Sequence, residues 1–437
     1  MISNTIHYTE AFVWIWLPRE TEPVVAGKLT SRGDTLVFNY GQSYFARENA
    51  IAIYEPELPL RAGPLPLLPG MSMPSCIRDA SPDAWGRRVI VNKKFGCQDK
   101  DTRVSQLDEL TYLLESGSDR IGSLDFQLSS THYEPRFFVN VPLEELLEVA
   151  ERVEKGLPIT PDLSQALNHG TSIGGARPKA LIEDQGKKYI AKFSCLTDLY
   201  SIIKAEFVAM RLALLCGINA ASVSLMKSAH KDVLVIERFD RVQSKDGWQR
   251  KAMVSSLTLL GLDEMMARYA SYENLSEVIR YRFTNASTTL KELFRRIIFN
   301  ILVSNTDDHA RNHAAFWDGR MLELTPAYDI CPQARSGHEA SQAMLIMGQS
   351  RMSKLSVCLD AAHIFFLTEE EAMVMIEHQI NTLGTQWKAV CEIADLNQID
   401  RKLMWGRQFL NPFAFDDLKG KRAVLKEMAN HFRDQLA

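Results

Sequence analysis

Residues 299–332 read FNILVSNTDDHARNHAAFWDGRMLELTPAYDICP, and the rest of the chain is read outward from them. An apolar helical end, Ile297-Ile298-Phe299 and Ile301-Leu302-Val303, turns abruptly polar at Asn305-Thr306-Asp307-Asp308-His309-Ala310-Arg311-Asn312. An apolar run from His313 to Trp317 follows, and Asp318-Gly319 is a strong two-residue hairpin signal. Met321 to Leu324 supplies the returning strand, after which the chain reaches Tyr328-Asp329-Ile330. The order is therefore an acidic loop, a hairpin and a further Asp.

That order has a chemical meaning. Phosphoryl transfer asks a protein for a residue that aligns the attacking hydroxyl and for oxygen ligands that hold Mg²⁺ on the phosphates. Protein kinases place an Asp and, five positions on, an Asn on one loop, with another Asp downstream. Asp307 and Asn312 have that spacing, and Asp329 follows the hairpin. The His-Arg-Asp and Asp-Phe-Gly signatures are absent. Taken alone, the Asp–Asn spacing also fits a solvated turn with acids as helix caps, so the remainder of the chain must arbitrate.

Composition sets the outer bounds. A chain of 437 residues has room for roughly two to four domains. With 46% hydrophobic and 24% charged residues it has the makeup of a soluble globular protein. A formal net charge of −4 gives no overall field for nucleic acid. The 7 cysteines form no CxxC pair and are odd in number, which reads as reduced, buried thiols in a cytoplasmic protein, not as a disulfide framework or zinc site. The first residues, MISNTIHYTEAFVWIWLPRE, lack the basic start and cleavage site of a signal peptide. No apolar run approaches the roughly 18 residues of a membrane helix, so no membrane association is expected.

Residues 11–55 read as β-structure, with strands at Phe12–Leu17, Val24–Leu29 and Thr35–Tyr40. Ser81-Pro82-Asp83-Ala84-Trp85 opens a helix, with Ser81 as N-cap and Pro82 in the first turn. A helix is expected from about Ser105 to Glu115, then Asp119-Arg120-Ile121-Gly122 and a strand from Leu124 to Gln127. Pro142 to Lys155 is amphipathic, with Leu143, Leu146, Leu147, Ala150 and Val153 on one side.

Next comes Thr171-Ser172-Ile173-Gly174-Gly175-Ala176-Arg177-Pro178-Lys179, a small-residue loop ending in a cation. Strands Ala180–Glu183 and Tyr189–Phe193 follow, the second carrying Lys192, and then a helix from Ala205 to Cys216 with Gly217 at its end. Glycines let backbone N–H groups approach phosphate oxygens, and a lysine adds a point charge. A Gly-rich loop, a strand lysine and a helix glutamate (Glu206) in this order is the layout of a kinase ATP lobe. Alone, Gly174-Gly175 would be an ordinary turn. Val233 to Arg241 reads as the strand leading to a hinge, where backbone groups of Glu237, Arg238 and Phe239 would meet an adenine edge. Beyond Lys251 almost every segment except the 313–324 hairpin reads as helix, including Leu275–Phe283, Thr289–Val303, Thr368–Leu383, Gln386–Asp395 and Ala423–Leu436.

As a set, these motifs resemble the HipA family of Ser/Thr kinases, the toxins of HipA–HipB toxin–antitoxin pairs. The resemblance runs over nearly the whole chain: Ser81-Pro82-Asp83, Asp119-Arg120-Ile121-Gly122, Thr171 to Lys179, Ile236 to Arg241, Asn305 to Asn312 and Tyr328-Asp329. It implies an α+β, two-lobed protein-kinase-like fold with a β-rich N-terminal half, an extra N-terminal subdomain and a mainly α-helical C-terminal lobe. The expected division is 1–135 for the subdomain, 136–250 for the ATP-binding lobe and 251–437 for the helical lobe.

Residue by residue, the resemblance implies Asp307 as the catalytic Asp, Asn312 and Asp329 as Mg²⁺ ligands, and Ser172 as the autophosphorylated serine. Its ATP site would comprise Gly174, Gly175, Ala176, Arg177, Pro178, Lys179, Lys192, Glu237, Arg238, Phe239, His309, Ala310, Arg311, Asn312, Tyr328 and Asp329. Asp308 stands where some members have Gly. ATP and Mg²⁺ are the implied cofactors. The implied partners are a protein substrate, a class that includes aminoacyl-tRNA synthetases, and a HipB-like helix-turn-helix antitoxin through which alone the protein would meet DNA. A small-molecule kinase of similar core, or a non-catalytic corepressor, are the alternatives.

Overall fold

The computed structural model describes residues 7–95, 107–136, 141–160, 163, 166, 168–335 and 337–436. They divide into two compact units. The first takes 1–197, 227–254 and 316–320; the second takes 198–226, 255–315 and 321–437.

The first unit is built on antiparallel sheet. Strands Glu10–Ile15, Val24–Arg32, Thr35–Tyr40 and Leu124–Gln127 form one sheet in which the first strand lies between the second and the last. Gly27 is required where two of these strands meet: a Cβ there would lie 2.2 Å from the Asn39 carbonyl oxygen. A second set of strands runs Lys179–Asp184, Lys187–Lys192 and Lys231–Glu237, with Lys179 opposite Lys192 and Tyr189 opposite Glu237. The helix Leu143–Lys155 buries Leu146, Leu147, Ala150 and Val153 against Ala180, Ala191, Phe193, Val233 and Val235. Each such aliphatic side chain contributes about 1.5–3 kcal/mol on burial. Gly156, left-handed at φ 66°, ends the helix.

The second unit is helical. Its helices are Ile202–Leu215, Tyr272–Arg282, Ala286–Leu302, Leu355–Ala361, Glu369–Ile393, Gln398–Met404 and Ala423–Leu436. Thr368 opens the longest with a capping box closed by Glu371. None of the described helices is long and apolar enough to cross a membrane. Cys76, Cys216, Cys358 and Cys391 are buried thiols, as their number and spacing led us to expect.

Four expectations are corrected. The two helices read at Thr368–Leu383 and Gln386–Asp395 are one, Glu369–Ile393. Gly384 is not a break but a contact point, since a Cβ there would lie 2.2 Å from the Phe432 ring of the C-terminal helix. The helix expected from Ser81 starts at Ala84, and Ser81 instead faces Glu109 with its Oγ 3.4 Å from Oε2. The helix expected from Ser105 runs Glu109–Glu115, capped by Asp108, whose carboxylate accepts the Thr111 N–H at 2.7 Å. Ser105 itself lies outside the described residues. Between Thr325 and Lys354 the described residues form no helix, contrary to the helical reading of that half.

Candidate active site

In the helical unit, Ala286–Leu302 delivers the chain to the acidic loop. The helix ends at Val303, and Ser304 takes a left-handed conformation, φ 52°, that reverses the chain. Asn305 then folds back onto the helix: its N–H donates to the Asn300 carbonyl at 2.8 Å and its Nδ2 to Asn300 Oδ1 at 3.0 Å. Asp307 is exposed at the tip. Its carbonyl accepts the His309 N–H at 2.8 Å and the Asn312 Nδ2 at 3.2 Å. The bond from Nδ2 fixes the Asn312 amide against the loop backbone.

The hairpin forms as expected, Ala314–Trp317 and Leu322–Leu324, with Gly319 at φ 98° in the turn. It returns the chain so that Tyr328 Oη donates to the Arg311 carbonyl at 2.7 Å, tying the following segment to the loop. Asp329 is held at φ 59°, a strained value for a residue with a side chain. Partial burial raises the Asp307 carboxyl above the usual range, and the charges of Asp329 and Asp308 push the same way against His309. Asp329 and His309 thus both act on the Asp307 carboxyl, and Asn312 bonds its carbonyl, so the four residues lie together. Hard oxygen donors on a carboxylate and an amide, with two carboxylates repelling each other, suit Mg²⁺, which is usually held by one or two carboxylates plus phosphate oxygens. The described residues contain no cluster of three or more His, Cys, Asp or Glu of the kind an all-protein metal cage needs.

Asp308, next to the exposed Asp307, turns inward. Its Oδ1 lies 2.9 Å from His313 Nε2, Tyr272 Oη donates to its other oxygen, and all three side chains are buried. Burial would raise this carboxyl, but His313 and Tyr272 hold it below the usual range. Arg311 is also structural here, its guanidinium 2.7 Å from Glu264. Ala310 is buried, and His309 Nδ1 is a buried ring nitrogen with no hydrogen-bond partner among the described residues.

The β unit holds the second group. Ser172 is buried in the 171–179 loop, and its Oγ has no partner among the described residues. Gly175 takes φ 96°. Side chains at 174 or 175 would collide, with Asp83 Oδ2 at 2.9 Å from a Cβ on the first and Lys179 Nζ at 2.2 Å from one on the second. Lys179 Nζ donates to the Gly174 carbonyl at 2.6 Å, and the Gly175 N–H donates to Asp83 Oδ2 at 2.9 Å. Lys179 and Lys192 are both buried and paired across two strands. Arg177 Nη1 lies 3.5 Å from Cys195 Sγ, and the Pro178 carbonyl accepts the Phe193 N–H at 2.9 Å.

Arg238, whose backbone was expected to meet an adenine edge, has its side chain engaged within the β unit. Its guanidinium lies 2.9 Å from Asp240 and 3.1 Å from Asp119, and its N–H donates to the Lys188 carbonyl at 2.9 Å. Only its carbonyl remains for a ligand. Arg241 repeats the pattern, 2.7 Å from Asp240 and 3.0 Å from Asp119, while the Gly122 N–H donates to Asp240 at 2.8 Å. The two stretches Asp119–Gly122 and Arg238–Arg241, distant in sequence, therefore form one buried charge network. Of their neighbours in the expected site, Glu237 pairs with Lys187 at 3.0 Å and the Phe239 ring meets Phe316 at 6.0 Å.

Sequence reasoning missed Asp83, which was placed in a structural helix start, and the pairing of Asp119 with Arg238. Both link positions too far apart in the chain for local pattern to show.

Residues 20–127 match the HipA N-terminal domain, and residues 171–387 match the HipA-like C-terminal domain. Y4mE of Sinorhizobium fredii, a presumed kinase by its name, is 25% identical over 339 residues, 70% of this chain and 74% of that protein. The serine/threonine-protein kinase toxin HipA of Shewanella oneidensis is 24% identical over 183 residues, 36% of this chain and 42% of that protein. In the solved complex of Shewanella oneidensis HipA, HipB and operator DNA, a chain of 18% identity aligns with a TM-score of 0.63, covering 98% of this chain and 95% of that one. That likeness bears out the α+β kinase-like fold. With both of the family's domains matched in order along one chain, this protein belongs to the HipA family of kinases.

Proposed function

We propose that this chain is a Mg²⁺- and ATP-dependent Ser/Thr protein kinase whose toxicity a HipB-like antitoxin restrains. The observation that carries this reading is the loop geometry: an exposed Asp307 whose carbonyl holds Asn312, with Asp329 brought alongside by the Tyr328 to Arg311 bond. Asp307 aligns and deprotonates the acceptor hydroxyl, a role that suits a carboxyl raised above its usual range. Asn312 and Asp329 hold Mg²⁺, which when bound neutralises charge on the transferring phosphoryl group. His309, with its unpartnered Nδ1, lies beside the phosphates. Lys179 and Lys192 supply positive charge from the strands, the 174–178 loop covers the phosphates, and the carbonyls of 237–239 face the adenine.

The acceptor is a cytoplasmic protein, an aminoacyl-tRNA synthetase being one candidate, and the kinase also modifies its own Ser172. A small-molecule kinase would not need the 20–127 domain, and a pure corepressor would not need Asp307, Asn312 and Asp329 together. The antitoxin reading is supported by the HipB and operator DNA in the solved HipA complex, and DNA would be reached only through that partner. The test is transfer of labelled phosphate from Mg·ATP to the purified protein and to lysate proteins. Labelling by wild type that disappears in Asp307→Asn supports the reading; equal labelling by both removes it.

A further inference from the structure

We propose that Asp83, in the N-terminal domain, is a positioning residue for nucleotide binding: the segment 83–88 clamps the 171–179 loop into its working shape. The proposal rests on the kinase reading above.

The clamp is visible bond by bond. Asp83 Oδ2 accepts the Gly175 N–H at 2.9 Å, and the Trp85 N–H donates to the Gly175 carbonyl at 3.1 Å. Arg88 Nη2 donates to the Ala176 carbonyl at 2.6 Å, and Trp85 Nε1 donates to the Lys179 carbonyl at 2.9 Å. Three residues within six positions thus engage both backbone groups of Gly175 and the carbonyls on either side of the loop's end. Trp85 is itself immobilised, buried at 1% exposure among Val89, Ala180, Ala191 and Phe193. Gly86 lets the helix approach, because a Cβ there would lie 2.8 Å from the Thr171 carbonyl.

Physically, a loop of Gly174, Gly175 and Ala176 has many conformations in solution, and Gly175 at φ 96° is only one of them. Binding a nucleotide to a loose loop carries the entropy of ordering it. A charge-assisted bond from Asp83 removes that cost in advance, on the face of the loop fixed to the buried Trp85. The carboxylate therefore acts on ATP through Gly175 and needs no contact with it. This makes the N-terminal domain part of the nucleotide site, which explains physically why a core kinase loop and that domain sit in one compact unit.

The test uses the full chain with three substitutions. Asp83→Ala removes the acceptor, Asp83→Asn keeps an acceptor oxygen without the charge, and Arg88→Ala removes a second bond. Hydrogen exchange of the nucleotide-free proteins reads the loop, with the 143–155 helix as a control for global folding. Calorimetry with Mg·ATP and steady-state labelling read the consequence. Asp83→Ala should speed exchange at 174–176 and weaken Mg·ATP by about tenfold, raising KM while kcat at saturation stays within about twofold. Asp83→Asn should recover most of the loss, and Arg88→Ala should fall between.

Unchanged exchange in Asp83→Ala overturns the clamp. Faster exchange with ATP affinity unchanged, or increased, overturns its role in binding, since tighter binding would mean that Asp83 competes with the phosphates. Wild-type protein that binds no Mg·ATP would sink the kinase reading instead, and the exchange comparison would still judge the clamp.

Discussion

Asp308 and His313 form a buried pair, Oδ1 to Nε2 2.9 Å, directly under the loop whose neighbouring residue Asp307 is exposed. Two adjacent aspartates thus have opposite duties. One faces solvent, where we propose the chemistry; the other faces the core and fixes the loop's path through Tyr272 and His313.

Asp308→Ala should therefore behave as a folding lesion. It leaves the Tyr272 hydroxyl and His313 Nε2 buried without their acceptor, which typically costs about 3 kcal/mol for a buried charged partner. Urea unfolding should show the loss, and phosphotransfer should fall with it. A Asp308→Ala protein as stable as wild type would show that the pair contributes nothing to the loop.

Asp307→Asn is the complement. The side chain is exposed and its carbonyl, not its carboxylate, makes the described loop bonds, so stability should stay within about 0.5 kcal/mol of wild type. The kcat should drop by about 10²- to 10⁴-fold, with Mg·ATP still bound. Loss of ATP binding along with activity would mean that Asp307 belongs to the metal site and not to the acceptor.

The acidic loop and its hairpin were legible in the sequence because their signals are local. Asp307 and Asn312 must share one turn, and the Asp318-Gly319 hairpin must follow if Asp329 is to return. The strand 35–40 was legible for a similar reason, being set by alternation and by the turn residues before it. What escaped notice depends on contacts across the chain. The helix Glu369–Ile393 read as two because nothing near Gly384 announces its packing against Phe432. That the Arg238 guanidinium is buried in an ion pair was not visible locally, because its partner Asp119 lies over a hundred positions away. A solvent-facing arginine and a buried one have the same letter; only the distant acid tells them apart.

The buried network around Asp119 and Asp240 predicts how the β unit responds to acid. Burial alone would raise both carboxyls. Arg238 and Arg241 outweigh it, with Lys188 adding to their pull on Asp119 and the Gly122 N–H to theirs on Asp240. Asp240 is lowered from 3.8 to about 2, and Asp119 lies well below its usual value. A carboxyl depressed in the folded state stabilises it at pH values above the unfolded-state pKa, near 4, and loses that contribution as pH falls through the folded-state value. For Asp240 this amounts to about 2 kcal/mol, present at pH 7 and lost between about pH 4 and 2. Urea midpoints measured from pH 7 to pH 2 should fall most steeply in that window. Asp240→Asn should be less stable at neutral pH, because Arg238 and Arg241 lose a buried counter-charge, and its acid slope should be shallower. An unchanged slope would place the acid sensitivity elsewhere.

The last prediction concerns Ser172. Its hydroxyl is buried at 4% exposure in the 171–179 loop, between Thr171, whose Oγ1 accepts the Gly117 N–H at 3.0 Å, and Ile173, which is also buried. No kinase can reach that oxygen until the loop leaves this position. Once modified, Ser172 carries about −1.5 to −2 charges. A group of that charge cannot be returned to a site where even the neutral hydroxyl finds no hydrogen-bond partner among the described residues. The loop must then stay out, and the 174–178 segment expected over the phosphates of ATP leaves with it. Autophosphorylation at Ser172 should thus lock the nucleotide site open and switch the kinase off. Ser172→Ala should bind Mg·ATP as wild type does but fail to silence itself during incubation. Ser172→Asp should bind ATP poorly, since one carboxylate also resists burial there. Mass spectrometry after incubation with Mg·ATP, followed by calorimetry on the modified form and hydrogen exchange across 171–179, follows each step. Phosphorylated Ser172 with ATP affinity intact and the loop still protected from exchange would disprove the mechanism and leave the kinase assignment standing.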